Sequence, residues 1–131
     1  MSLFKTRDWW CTKCGNGDEF DHGSLAVGNV DDAQDGGVKI VTASFSGMIR
    51  VYAPKERDYK VDDLVLEVDL KLPILQVEVG VFVSHTGKTS IAVLHPRKLA
   101  VYSLDTKGAA NTYHQLSLAY EHRLEHTGER G

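Results

Sequence analysis

The pair Cys11 and Cys14, in "CTKC", is the first place in the chain where spacing alone suggests chemistry. Two thiols in C-x-x-C are half of a structural zinc site, which takes four ligands, commonly two such pairs or one pair with two histidines. No second pair follows. Among His22, His85, His95, His114, His122 and His126, only His122 and His126 have the H-x₃₋₅-H interval. That interval falls in a strand-like run and a tail, not on a helix. The ligand set is incomplete, so no metal or other cofactor is predicted. Thioredoxin-type redox use of C-x-x-C needs a βαβ setting, and the chain offers none. A free-standing metal- or ligand-binding β-protein built on Cys11, Cys14 and a histidine is the alternative reading.

Two further stretches resemble sites and fail on spacing. "HTGKTS" (85–90) carries Gly-Lys-Thr, the tail of a phosphate-binding loop. The first glycine of that motif would fall at Phe82, and a strand-forming run follows where a helix is needed. A hairpin turn is the expectation. "DDAQDGG" (31–37) gathers aspartates and glycines but lacks the EF-hand interval, and its composition is that of a loop. No catalytic triad order and no G-x-S-x-G is present. The chain is therefore read as no enzyme, with no small-molecule substrate.

Trp9 and Trp10 remain. Side chains this large anchor a core or a partner. Neighbours in an extended segment point to opposite sides, so one can seal a structural seam while the other faces a partner. The seam is the favoured role.

The elements that position these residues are strands. The chain has 131 residues, 42% hydrophobic and 25% charged, with a net charge of -3. That is the composition of one modest globular domain without a basic footprint for nucleic acid. No run approaches the roughly 18 apolar residues of a membrane-spanning helix. The start lacks the apolar core of a secretory signal, so a soluble, reducing, intracellular setting is expected. Helical periodicity is poor beyond one short turn within residues 1–10. Alternation predicts strands at 24–30, 38–44, 48–53, 63–70, 75–83, 90–95, 98–104 and 113–124.

These form two sets of four. "KIVTASFSGMIRVYAP" (39–54) and "SIAVLHPRKLAVYSLD" (90–105) share an outline: apolar strand, polar turn, strand with a Val-Tyr pair. Leu25 and Val27 align with Leu75 and Val77, Ile40 with Ile91, Val51 and Tyr52 with Val101 and Tyr102, and Leu66 with Leu118. A period near fifty residues with four strands per unit is the pattern of β-propeller blades. The predicted fold is all-β: a partial β-propeller of about two four-stranded antiparallel blades, with a β-sandwich as the alternative. The expected segments are 1–23 as an N-terminal stretch, 24–70 and 71–124 as blades, and 125–131 as a divergent tail.

The motifs "SLFK-RDWW", "EFDHGSLAVGNVD", "LVLEVDL", "ILQVEVGVFVS" and "AVLH-RKL-VYS", in this order, resemble the start of the ninth Bardet–Biedl syndrome family. It is also called the parathyroid hormone-responsive family, and its members are BBSome subunits. The resemblance runs from Met1 to about Leu124. It implies a propeller at the head of a longer protein. It also implies a non-enzymatic scaffold role in a coat-like complex that moves membrane proteins to and from cilia. Other BBSome subunits are the implied partners, with membranes met only through the complex. Cytoplasm, cilium and the basal body or centriolar region are the implied locations. The tail 125–131 departs from the family pattern; the alternative there is a truncated product without the full scaffold role.

Overall fold

The computed structural model describes residues 7–34, 36–108 and 113–124. The tail 125–131, with His126, lies outside the described residues, as does most of the stretch where a first turn was expected. The fold is all-β. Strands β1 (Leu25–Gly28), β2 (Lys39–Ala43), β3 (Met48–Tyr52) and β4 (Leu64–Asp69) form one antiparallel sheet in chain order. Strands β5 (Gln76–Gly80), β6 (Ser90–His95), β7 (Lys98–Lys107) and β8 (Tyr113–Arg123) form the second in the same way. Two 3-10 turns, His22–Ser24 and Val61–Asp63, lead into β1 and β4; alternation of apolar residues carries no signal for such short pieces.

Each predicted strand has a counterpart, but the run 75–83 ends early. After Gly80, Phe82 turns back so that its ring stands over the glycine: a Cβ on Gly80 would lie 3.1 Å from Phe82 Cζ. The Phe82 N–H is donated to the Ser90 hydroxyl (3.4 Å) and not to a ladder. Val81 and Phe82 are strand-forming by type, yet among the described residues no neighbouring strand pairs with them.

The repeat is real in the middle hairpin and shifted at its flanks. Ile40 pairs with Tyr52, and Ile91 with Tyr102, so these positions are equivalent. A β-bulge interrupts both sheets at the same place. Val51 opposes Leu66 while Tyr52 opposes Leu64, and Val101 opposes Tyr120 while Tyr102 opposes Leu118. The extra residues are Val65 and Ala119. The pairing makes Leu118 equivalent to Leu64, correcting the alignment with Leu66. Likewise Val27 opposes Ile40 as Val79 opposes Ile91, which corrects the alignment of Val27 with Val77. Each slip is an even number of residues, so alternation, which has a period of two, could not detect it.

The core lies between the sheets. Val41, Ala43, Ile49, Val51 and Leu66 of the first meet Val77, Ile91, Val93 and Leu104 of the second, with Val30 and Ile74 from the connections. Equivalent faces do not meet. Ile91 is in this core, whereas its counterpart Ile40 alternates with core residue Val41 and points to the other side of its sheet. The front of one sheet thus packs on the back of the next. The closest approach is at the first strands: a Cβ on Gly28 of β1 would lie 2.7 Å from Val79 Cγ1 of β5.

A polar lock closes one end of this interface. Lys39, 7% exposed, reaches Asp31 Oδ1 at 2.7 Å, and its ammonium also donates to Asn29 Oδ1 and the Gly37 carbonyl. His114 of β8 contacts Asp31 Oδ2 at 3.4 Å, and Asp32 accepts from the Thr89 N–H and hydroxyl. Burial by itself would raise the Asp31 pKa. The hydrogen bond and charge of Lys39, then the hydrogen bond from His114, outweigh it and hold the carboxyl below its ordinary 3.8.

Two outcomes are expected. Gly28→Val forces β1 from β5 and lowers unfolding free energy by about 2 kcal/mol in urea titration, as overpacking does. Asp31→Asn strands a buried ammonium and costs about 3 kcal/mol. Because the folded pKa of Asp31 is depressed, its contribution is present above pH 3.8 and disappears as pH falls through the folded value. Urea midpoints of the parent and the variant, measured in parallel, therefore converge at acid pH.

Candidate interaction surface

The segment before β1 lies across β3 and β4 on the face away from the second sheet. Its course is set by an ion pair, a glycine turn and a backbone hydrogen bond. Arg50 of β3, 7% exposed, donates from Nη1 to Asp18 Oδ2 (2.9 Å) and from Nε to Glu67 Oε2 (2.7 Å). A charge this buried requires both carboxylates, one from the segment and one from β4. Gly15 permits the turn that brings Asp18 there. Its φ is 71°, and a Cβ would fall 2.5 Å from Asp18 Oδ2. The backbone hydrogen bond is Phe45 N–H donating to the Glu19 carbonyl (3.0 Å).

Trp9 and Trp10 lie in a bend, and their side chains meet different surroundings. The Trp10 ring packs edge-on against Tyr52 and Tyr59, with centroids 5.8 and 5.6 Å away, and its indole N–H donates to Asp63 Oδ2 at 2.8 Å. Asp63 also accepts from the Lys60 N–H, and these two hydrogen bonds, that of Trp10 first, lower its pKa. Trp9 is 53% exposed, and its carbonyl accepts from the Asp58 N–H. The sequence reading named the two tryptophans. It missed Asp63, Tyr52 and Arg50, because their partners lie tens of residues away.

The thiols sit at the edge of the same strap. Cys11 is exposed and Cys14 half-buried. Burial, then the hydrogen bond and charge of Cys14, push the Tyr52 hydroxyl pKa upward. Among the described residues, no group of three His, Cys, Asp or Glu side chains is placed to hold a metal ion. The structure scatters the histidines: His95 is buried at the end of β6, His114 joins the Asp31 lock, and His22 and His85 are exposed in connections.

The strap leaves part of the first sheet's outer face bare. Leu25, Val27 and Val38 are 57%, 58% and 59% exposed. By register Leu25 and Val27 are equivalent to Val77 and Val79, which in the second sheet pack on the first. The second sheet's outer face presents Ala92, Leu94, Leu99 and Tyr120, whose counterparts in the first sheet are core residues Val41, Ala43, Ile49 and Leu66. The two ends therefore carry unlike, mutually complementary faces. The loop after β5 covers a part of the second, where the Tyr120 hydroxyl donates to the Phe82 carbonyl (2.8 Å).

Substitution separates the tryptophans. Trp10→Ala removes a ring packed on two tyrosines and costs about 3 kcal/mol, whereas Trp9→Ala stays within about 0.5 kcal/mol of the parent. Thermal unfolding followed by near-ultraviolet circular dichroism checks both; equal losses would mean that the two rings share the burial.

A family model described as PTHB1 N-terminal matches residues 1–129. Protein PTHB1 of Homo sapiens is 50% identical over 136 residues, covering 97% of this chain and 15% of that protein. Protein PTHB1 of Xenopus laevis is 48% identical, covering 97% of this chain and 16% of that protein, and that of Mus musculus is 46% identical. The chain thus spans about 15% of the length of the curated relatives it matches. With a family match over nearly its whole length and relatives near half identity, this chain belongs to the PTHB1 N-terminal family.

Proposed function

We propose that this chain is the opening part of a β-propeller that serves the BBSome as a non-enzymatic interaction module, residues 24–70 and 71–124 being its first two blades. The observation that carries the reading is the front-to-back stacking of the two sheets. Such a contact does not close on itself: each added sheet covers one face and presents another, until a ring is complete. Family membership supplies the second support, since the relatives' length beyond this region gives ample chain for further blades.

In this role the rim of loops and the Trp9–Trp10 strap bind through shape and a few aromatic contacts. Trp10 holds the strap on the first blade, and Trp9 is offered to a neighbour. Other BBSome subunits are the partners. Work in the cytoplasm, at the cilium and around the basal body follows, with membranes met through the assembled complex and membrane-protein cargo moved to and from cilia.

The test is co-purification. The tagged 131-residue chain is expressed in ciliated cells, and bound proteins are identified alongside a gel-filtration profile of the bait. Recovery of other BBSome subunits with a soluble bait is the expected result. A soluble bait that recovers none of them overturns the interaction role for this region.

A further inference from the structure

We infer that the cleft beside the β6–β7 turn docks an acidic peptide segment carrying an apolar side chain, contributed by a partner protein. This rests on the interaction-module reading and names one kind of partner. The cleft is lined by Leu72, Pro96, Arg97, Lys98 and Arg123.

The strongest indication is backbone strain. Pro96 and Arg97 are the two corner residues between β6 and β7, and Arg97 has φ 67°. A proline followed by a positive φ is the type II turn, whose second corner favours glycine. Among the described residues, the non-glycine residues with positive φ are Asp32, Asp58, Lys71 and Arg97. Aspartate tolerates that conformation because its short side chain bonds to local backbone. The Lys71 N–H is held by Asp69 two residues before it, whereas Arg97 has no short side chain of its own to bond the local backbone. Yet Arg97 lines the cleft, and Lys71 precedes Leu72 of the same cleft. Strain retained at a cation that lines the cleft is a sign of use.

The cleft also has a firm frame. Beneath it His95, 1% exposed, donates from Nδ1–H to the Pro73 carbonyl at 2.9 Å, since a carbonyl can only accept. The Leu124 N–H donates to the Arg97 carbonyl (2.9 Å), tying the end of β8 to the turn. Leu72 is 40% exposed and supplies an apolar wall with Pro96. Among the described residues, the acids nearby are Glu121, which pairs with Lys98 at 3.2 Å, and Asp69, which accepts from the Lys71 N–H. Neither the Arg97 nor the Arg123 guanidinium has a carboxylate partner among the described residues. A chain with net charge -3 thus exposes two guanidinium groups with no carboxylate partner among the described residues beside an apolar wall. Guanidinium groups bind carboxylates with two parallel hydrogen bonds, and Leu72 and Pro96 suit an aliphatic side chain between those carboxylates.

The probe is a fluorescein-labelled synthetic peptide of glutamates interrupted by leucines, titrated with the full chain at low salt and read by anisotropy. The control peptide replaces glutamate with lysine. Arg97→Gly is the informative variant, because glycine relieves the turn while removing the cation. Binding of the acidic peptide alone is expected, weakened about tenfold by Arg97→Gly and again by Arg123→Gln, with the Arg97→Gly melting temperature equal to or above the parent's. No binding, equal binding of the lysine peptide, or no change in the variants overturns the inference. So does variant-sensitive binding to phosphatidylserine vesicles without peptide binding, which would assign the cleft to a membrane. In the co-purification, unchanged recovery by the double variant overturns this inference and leaves the interaction role standing. A parent chain that recovers nothing overturns that role, while the peptide titration still judges the cleft.

Discussion

A four-stranded meander with apolar residues on both sides has two faces to bury, and one neighbouring sheet covers only one of them. Almost every feature of this chain follows from that constraint. Val41, Val51, Val77, Ile91 and Val93 are wholly or almost wholly removed from water because two sheets stack. The stack is front to back, so it leaves one face of each sheet in need of cover. On the first sheet the N-terminal strap provides part of it. On the second, the loop after β5 does. What remains bare is at the β1 edge of the first sheet, where Leu25, Val27 and Val38 stand more than half exposed.

Polar contacts fix how the stack is set, and hydrophobic burial, which is non-directional, could not do so alone. The Asp31–Lys39–His114 group and the Asp32–Thr89 bonds tie the connection between β1 and β2 to the second sheet. On the opposite face, Arg50 is held between Asp18 and Glu67, so the strap docks at one place along β3. A buried charge with two partners is sensitive to misplacement of either, because an unpaired charge away from water is costly. Register between distant segments is thereby specified where a smooth apolar surface would allow sliding.

The same geometry governs where binding can occur. Apart from the bare face at β1, strand interiors are occupied with pairing and packing, so most groups free to meet another molecule lie on the strap, in the turns and at strand ends. Trp9, the Pro96–Arg97 turn and the Lys71–Leu72 corner are all such positions. Each is carried on elements fixed by contacts beneath it: Trp9 beside the packed Trp10, and Arg97 above the His95–Pro73 bond. A rigid frame presenting a few exposed side chains suits recognition by shape and charge.

By itself the sequence determined the number, order and approximate limits of the strands and the existence of a repeat, and it drew notice to the aromatic pair Trp9 and Trp10. These are local properties: alternation with a period of two, turn-forming residues between runs, and a large aromatic pair. Its limit is the same period. A slip of two residues keeps every side chain on its face, so the equivalence of Leu64 with Leu118 and of Val27 with Val79 became visible only through the pairing. Nor can alternation say that Val81 and Phe82, strand-forming by type, lack a partner strand. The tertiary structure alone decided that Ile40 and Ile91 face opposite ways relative to the shared core, that Trp10 meets Asp63, and that Arg50 is buried between Asp18 and Glu67. Those are contacts between residues far apart in the chain, and they depend on how sheets stack in space.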